Sequence, residues 1–233
     1  MQNSFNQSLL TSGLNFSTRD MLYYPSIAIC ALDAVFSIRA NYCSTVVSRL
    51  EKFCRLYQIP WQLMNTMPAI DNQLKVSEVI KRMNGITGTR LASALDFHQP
   101  ATTTKDVNKK ILKTEAFIRF INTLAVNGIE TYQDLNALRR EMEEDLRETL
   151  KRIPGQRVSV DYFFMLTGDS NMVKVDRHIE RFARNATGID NLNHNEIVNL
   201  FRNGSVFLQQ NGYPDMNPRH LDHIVWEYQK KYK

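Results

Sequence analysis

The hydrophobic positions of this chain recur at the spacing expected of helices. Apolar residues follow one another at intervals of three and four over residues 27–38, 46–56, 76–83 and 109–126. This spacing places the apolar side chains on one face of a helix, whereas a half-buried strand needs strict alternation. Alternating segments and internal repeats are absent from the sequence. The pattern therefore predicts an all-α protein.

Polar and turn residues separate the expected helices. Residues 100–104 are predicted to form a loop, with Thr104 or Asp106 capping the helix that follows. Thr131 and Asp134 have the Ser/Thr-x-x-acid spacing of a capping box. The remaining helices are expected over residues 141–152, 158–166, 176–184, 193–210 and 217–232.

Composition narrows the class of protein. A chain of 233 residues with 43% hydrophobic residues can bury one sizeable core or two small lobes. Lys and Arg number 29 against 24 Asp and Glu, and the net charge of +5 is compatible with a polyanionic partner without requiring one. No apolar run approaches 18 residues, so we expect no membrane span. The chain has an odd number of cysteines, Cys30, Cys43 and Cys54, which is typical of reduced thiols in a cytoplasmic protein.

A Pro-Gly turn joins two of the expected helices. The turn has the sequence Ile-Pro-Gly-Gln-Arg over residues 153–157. The second helix begins with unpaired N–H groups and the positive end of its dipole, which favours a phosphate. Gly155 can adopt a positive φ and lets another backbone approach closely. An ordinary helix–helix turn is the alternative interpretation.

The turn is followed by one expected helix, and the next expected helix after that begins with an aspartate. Asp176 lies in the string Val-Asp-Arg-His-Ile-Glu-Arg over residues 175–181. Helix capping explains an aspartate at this position by itself. The string is similar to the Val-Asp-x-His-[Val/Ile]-x-Arg signature of the helix-hairpin-helix (HhH-GPD) DNA glycosylase superfamily, which includes endonuclease III. His178 and Arg181 match it as well, and the upstream hairpin resembles the Leu-Pro-Gly-x-Gly hairpin of that family.

A third similarity lies nearer the N-terminus. Residues 35–41 read Val-Phe-Ser-Ile-Arg-Ala-Asn and resemble the family's Leu-Leu-Ser-x-Gln-x-Thr segment. Arg39 occupies the position of the family's glutamine, which enters the duplex where the base was extruded. Asn41 occupies the position of the family's threonine. The resemblance implies that Arg39 fills this gap. The alternative is a solvated arginine on an amphipathic helix.

The resemblance spans residues 27–184 and carries an expectation about the fold. It implies a two-lobed HhH-GPD-like protein with the helix-hairpin-helix motif around residues 144–168. One lobe would combine residues 27–100 and 185–233, and residues 105–184 would form the lobe that carries the hairpin and Asp176.

The resemblance also implies a reaction, the cleavage of the N-glycosidic bond of a flipped, modified or damaged base. Asp176 would stabilise the positive charge on the deoxyribose as the base departs. Bifunctional members place a nucleophilic lysine five residues after the hairpin proline, where this chain has Ser159, so the implied enzyme is monofunctional. No cysteine follows Cys54, which excludes the C-terminal four-cysteine iron–sulfur cluster of the endonuclease III branch.

The expected partner is double-stranded DNA, bound by a monomer without a cofactor or a metal ion. The family's second hairpin glycine is replaced by Arg157, whose guanidinium can bind a phosphate instead. His220 and His223 have helical spacing but no third ligand in sequence, so we expect them to be structural. A catalytically inactive DNA-binding module in repair or defence is the alternative function. The residues expected to contact DNA are Arg39, Asn41, Pro154, Gly155, Gln156, Arg157, Ser159 and His178.

Overall fold

A computed structural model describes residues 1–18, 20, 22–102, 110–138 and 140–231. Over these ranges the regular structure is helical, and the only β features are isolated bridges between Tyr23 and Met64 and between Pro100 and Leu112. The prediction of an all-α protein is confirmed for this part of the chain, while the predicted cap at Thr104 or Asp106 lies outside it. The α-helices are α1 Gln2–Thr11, α2 Ile27–Ser37, α3 Val47–Leu56, α4 Val76–Met83, α5 Gly88–Leu95, α6 Lys113–Val126, α7 Tyr132–Asn136, α8 Arg140–Lys151, α9 Arg157–Leu166, α10 Arg177–Thr187, α11 His194–Gln210 and α12 Pro218–Gln229.

Side-chain caps define where several of these helices begin. The predicted capping box is present at α7, where Thr131 accepts from the Asp134 amide and the Asp134 carboxylate accepts from the Thr131 amide. Asn193 and Glu196 form a second capping box at α11. A π-helix, Tyr42–Val46, directly precedes α3. None of the helices in the described ranges has the length and apolarity needed to cross a bilayer.

The chain divides into two compact units. The central unit is the continuous segment Leu22–Thr167, and the terminal unit combines Met1–Met21 with Gly168–Lys233. This division differs from the expected lobes, because it assigns the hairpin to the central unit and Asp176 to the terminal unit. The difference arises from packing that the local pattern does not specify. The apolar face of α10 packs on α1, α11 and α12, whereas α2, α4 and α5 pack on α6, and α2 also packs on α9.

The central unit is built around α2. This helix packs against α6 and α9, and α8 packs against α9. Aromatic rings fill the interior, with Phe117 at 5.4 Å from Phe53 and Phe120 at 5.1 Å from Phe163 between ring centroids. Each such side chain contributes about 1.5–3 kcal/mol through burial. The resulting core fixes both helices of the hairpin.

The terminal unit is closed by the first helix of the chain. The polar segment 1–7 gave no sign of a helix in the sequence, but α1 buries Phe5 and Leu9 completely. The Phe5 ring lies 5.8 Å from the Phe182 ring of α10 and 5.3 Å from the Phe201 ring of α11, between centroids. The helix that Asp176 opens is therefore held from one side by α1.

Candidate functional site

The Pro-Gly hairpin is a tight β-turn between α8 and α9. The amide of Gln156 donates to the carbonyl oxygen of Ile153 at 3.1 Å, which encloses Pro154 and Gly155 as the two central residues. Gly155 has a φ of 80°. Proline followed by a glycine of positive φ is the pattern of a type II turn. The sequence therefore placed this turn correctly, and Arg157 begins the next helix as expected.

Gly155 is also required by a close backbone contact. A Cβ atom at this position would lie 2.1 Å from the carbonyl oxygen of Ala101. Ala101 is itself buried. The turn thus packs directly on the segment before α6, and only a residue without a side chain fits there.

The N-terminus of α9 has no side-chain cap. Its first residues, Arg157 and Val158, are exposed and lie at the positive end of the helix dipole. Gln156 and Ser159 are placed differently from the expectation. Both are buried, and the Ser159 hydroxyl donates to the main-chain and side-chain oxygens of Gln156. Their side chains stabilise the turn from the inside instead of presenting a surface to DNA.

Arg39 lies beside the hairpin. Its Nη2 atom donates to the carbonyl oxygen of Ala101 at 3.2 Å, the same oxygen that packs on Gly155. The residue is exposed and has a φ of 53°, which is unfavourable for a bulky side chain. It therefore does not belong to an amphipathic helix, because α2 ends at Ser37. The structure brings together Arg39 and the hairpin, which are more than 100 residues apart in sequence.

Asn41 has a local structural role. It is exposed and precedes the π-helix, where its side-chain oxygen accepts from the Ser44 amide at 3.0 Å. This hydrogen bond ends the loop that carries Arg39.

A buried lysine beneath this loop escaped the sequence analysis. Lys113 is 2% exposed, and its ammonium group donates to the carbonyl oxygens of Phe36 and Ile38 and to the Gln99 side chain. These bonds satisfy main-chain oxygens at the end of α2. Burial, with a smaller effect from the positive charge of Arg39, lowers the pKa of Lys113 to about 8. The only signal in the sequence was a lysine on the apolar face of a helix.

Asp176 is the N-cap of α10 in the terminal unit. Its Oδ1 atom accepts from the amide of His178 at 2.8 Å and from that of Ile179 at 3.2 Å. Within the described ranges, Oδ2 accepts no hydrogen bond, and the residue is partly exposed. One carboxylate oxygen therefore makes both of the capping hydrogen bonds.

The last helix of the chain supports α10 next to Asp176. Arg181 donates from Nε to the Gln229 side chain at 2.6 Å and from Nη2 to the Gln229 carbonyl at 2.8 Å. His178 is half-buried against the same helix, with its ring centroid 6.1 Å from that of Trp226. Burial lowers the pKa of His178. The matching residues of the signature are thus used to dock α10 on α12.

Two further histidines, His220 and His223, lie on α12. The Nε2 atom of His220 lies 2.7 Å from the carbonyl oxygen of Thr18, and burial lowers the pKa of His223. No cluster of three or more potential metal ligands occurs among the residues that the structure describes. The aspartate between them, Asp222, is buried and was not recognised as a separate feature in the sequence.

A family model described as "Domain of unknown function (DUF8548)" matches residues 9–230. The chain belongs to this family. A comparison with curated proteins finds no match, and a comparison with solved structures finds none either. The match covers both units of this DUF8548 protein, including the hairpin and Asp176.

In this DUF8548 protein, we expect Gly155→Ala to destabilise the fold more than the same substitution at another glycine with a similar φ. Gly128 is the matched control, because it has a φ of 73° and no atom lies within 4 Å of the position that its Cβ would occupy. Both variants incur the left-handed strain of about 1–2 kcal/mol. Gly155→Ala must also displace Ala101, which adds about 1–3 kcal/mol. Urea denaturation followed by circular dichroism measures both; equal losses would show that Ala101 does not press on the turn.

Proposed function

We propose that this protein is a monofunctional DNA glycosylase of the HhH-GPD type. The hairpin would bind duplex DNA, and Asp176 would serve the hydrolysis of the N-glycosidic bond of a flipped base. The observation that carries the proposal is the partly exposed carboxylate of Asp176, which the two amides on Oδ1 hold at the N-terminus of α10 within the string that resembles the family signature.

The binding step is supported by charge and by backbone geometry. The uncapped amides of α9 offer hydrogen-bond donors to a phosphate, and Arg157 adds a positive charge at the same helix terminus. Arg39 projects from an unfavourable backbone conformation beside the same turn. Strained, exposed residues held by the surrounding structure are concentrated at functional sites. The Arg39 side chain would occupy the space left by the flipped base.

The chemical step would depend on the charge of Asp176. As the glycosidic bond breaks, positive charge develops on the deoxyribose, and a fixed carboxylate stabilises it. The two amides on Oδ1 hold the carboxylate in place, and the N-terminus of α10 favours a negative charge there. Water would then attack the sugar, with its proton leaving to the departing base or to solvent.

A second candidate is a DNA-binding module without catalysis. The observation that favours it is the difference at the hairpin, where Arg157 replaces a glycine and Ser159 is a buried structural residue. Such a protein would bind DNA through the central unit and release no base. Cys30, Cys43 and Cys54 form no disulfide bonds, which fits a reducing compartment such as the cytoplasm for either candidate.

We expect Arg157→Ser to weaken binding to duplex DNA for all sequences alike. Loss of one phosphate contact should reduce the slope of log affinity against log salt concentration by about 1. Fluorescence anisotropy at several salt concentrations measures this slope. Arg90→Ser, which removes an exposed arginine from α5, is the control and should leave the slope unchanged. Equal slopes for the wild type and Arg157→Ser would show that the N-terminus of α9 does not contact DNA.

We expect Asp176→Asn to slow base release strongly without unfolding the protein. Asparagine keeps the shape and the capping oxygen, so the free energy of unfolding should change by less than about 1 kcal/mol. The loss of the negative charge should slow single-turnover base release by roughly a hundredfold or more. The assay uses duplexes that each carry one modified or damaged base, with thermal melting in parallel. Asp190→Asn, at an exposed aspartate of the same unit, is the control. Undiminished base release by Asp176→Asn would leave Asp176 as a cap alone.

The reaction product distinguishes a water nucleophile from an amine. We expect an intact abasic strand that breaks only after alkali treatment, because Ser159 occupies the lysine position and is buried. Borohydride should trap no covalent complex on a denaturing gel. A trapped complex would instead indicate a Schiff base, with Lys174 as the first residue to replace.

A further inference from the structure

The Lys113 ammonium group joins two segments that lie far apart in the sequence. It donates to the carbonyl oxygen of Phe36 at 2.9 Å and to that of Ile38, both at the end of α2. It also donates to the side-chain oxygen of Gln99 at 3.0 Å. Every hydrogen of the ammonium group therefore has an acceptor, whereas a neutral amine has fewer hydrogens than there are acceptors. The geometry thus fits the charged form of Lys113.

The main chain of Lys113 is bound to the same segment as its side chain. The Lys113 amide donates to the Gln99 carbonyl oxygen at 2.9 Å, and the Ala101 amide donates to the Ile111 carbonyl oxygen at 2.8 Å. These bonds pair residues 99–101 with residues 111–113 in an antiparallel arrangement. Lys113 therefore fixes Gln99 at two points, and Ala101 follows in the same segment.

Arg39 closes a ring of contacts that begins at Lys113. Ile38, which the ammonium group binds, directly precedes Arg39 in the chain. The Arg39 guanidinium donates to the Ala101 carbonyl oxygen at 3.2 Å. The ring thus runs from Lys113 through Ile38 and Arg39 to Ala101, and it returns to Lys113 through Gln99.

The backbone of Arg39 needs the support that this ring gives. Its φ of 53° is unfavourable for a long side chain, and such a conformation persists only where the surrounding structure holds it. The Ala101 oxygen that Arg39 binds also lies against Gly155 of the Pro-Gly turn. Release of the Ile38 carbonyl would let Arg39 adopt a more favourable conformation and leave its place beside this turn.

We propose that Lys113 is a positioning residue for DNA binding: its ammonium group holds Arg39 in the left-handed conformation beside the Pro-Gly turn. Lys113 is 2% exposed, so it acts through Arg39 and not by contact with DNA. The part that concerns DNA rests on the proposed function. The effect of Lys113 on the Arg39 backbone does not, so it is testable in the free protein.

The first experiment measures the backbone conformation of Arg39 by NMR. Lys113→Met keeps a long apolar side chain at the buried position and removes the ammonium group. We expect the backbone chemical shifts of Arg39 to leave the left-handed range in this variant, because Ile38 has lost its donor. Thr114→Val, which removes a buried hydrogen bond of 2.7 Å to Gly88 from the next residue of α6, is the matched control and should leave these shifts unchanged. Unchanged Arg39 shifts in Lys113→Met would overturn the proposal.

The second experiment is a double-mutant cycle on DNA affinity, measured by fluorescence anisotropy. The probe is a duplex with a tetrahydrofuran abasic-site analogue, which offers the gap that Arg39 is proposed to fill. Arg39→Asn removes the guanidinium, and asparagine tolerates the left-handed conformation. We expect Lys113→Met to weaken binding by at least about fivefold with Arg39 present and by no more than about twofold in Arg39→Asn.

A direct effect of the Lys113 charge on the phosphates would give a different result. It would persist after Arg39→Asn, so equal losses of affinity in the two backgrounds would overturn the positioning role. Thr114→Val should bind the probe like the wild type. If Lys113→Met does not fold, Lys113→Gln takes its place under the same criteria, because a glutamine amide can keep a bond to one of the acceptors.

The wild type provides a readout that needs no substitution. The Lys113 ammonium hydrogens should exchange slowly with water in NMR spectra, because buried hydrogen bonds hold them. Fast exchange would show that these bonds are absent and would overturn the proposal. If the wild type binds no duplex, the proposed function fails, and the Arg39 shifts still decide whether Lys113 fixes the Arg39 backbone.

Discussion

The complete burial of α2 is the constraint on which the central unit depends. Every residue from Ile27 to Phe36 is buried, so the polar groups of this helix must be matched inside the protein. Ser26 caps the first turn, and the Lys113 ammonium binds the carbonyl oxygens at the other end. The Asp33 carboxylate accepts hydroxyl groups from Tyr24, Tyr42 and Ser37. These bonds give α2 one position and one end point.

The position at which α2 ends determines where Arg39 lies. The chain leaves α2 at Ser37, passes over the Lys113 ammonium and turns at Arg39 in a left-handed conformation. The Arg39 guanidinium and the Pro-Gly turn then share the Ala101 carbonyl. The surface proposed to bind DNA is therefore a consequence of how a buried helix ends, and its two parts are placed by the same core.

Features that depend on a few neighbouring residues could be predicted from the sequence. The capping box at Thr131, the turn at Gly155 and the cap at Asp176 all require only local residue types. The division into units and the burial of Ser159 and Asp222 depend on distant packing, which the local pattern does not contain. The first helix was missed because Phe5 and Leu9 are its only buried side chains and polar residues surround them. The turn and the cap could thus be predicted from the sequence, but the burial of Ser159 and Asp222 could not.

The path of the chain through the two units affects the order in which helix contacts can form during translation. The central unit is one continuous segment, so its helices leave the ribosome in uninterrupted succession. The helix α1 is made before this unit, whereas α10 and α11, on which Phe5 packs, are made after it. During translation, α1 must wait with its apolar side chains unpaired while the whole inserted unit is made. The contacts of α1 with the helix that begins after Asp176 can therefore form only after the central segment has been made.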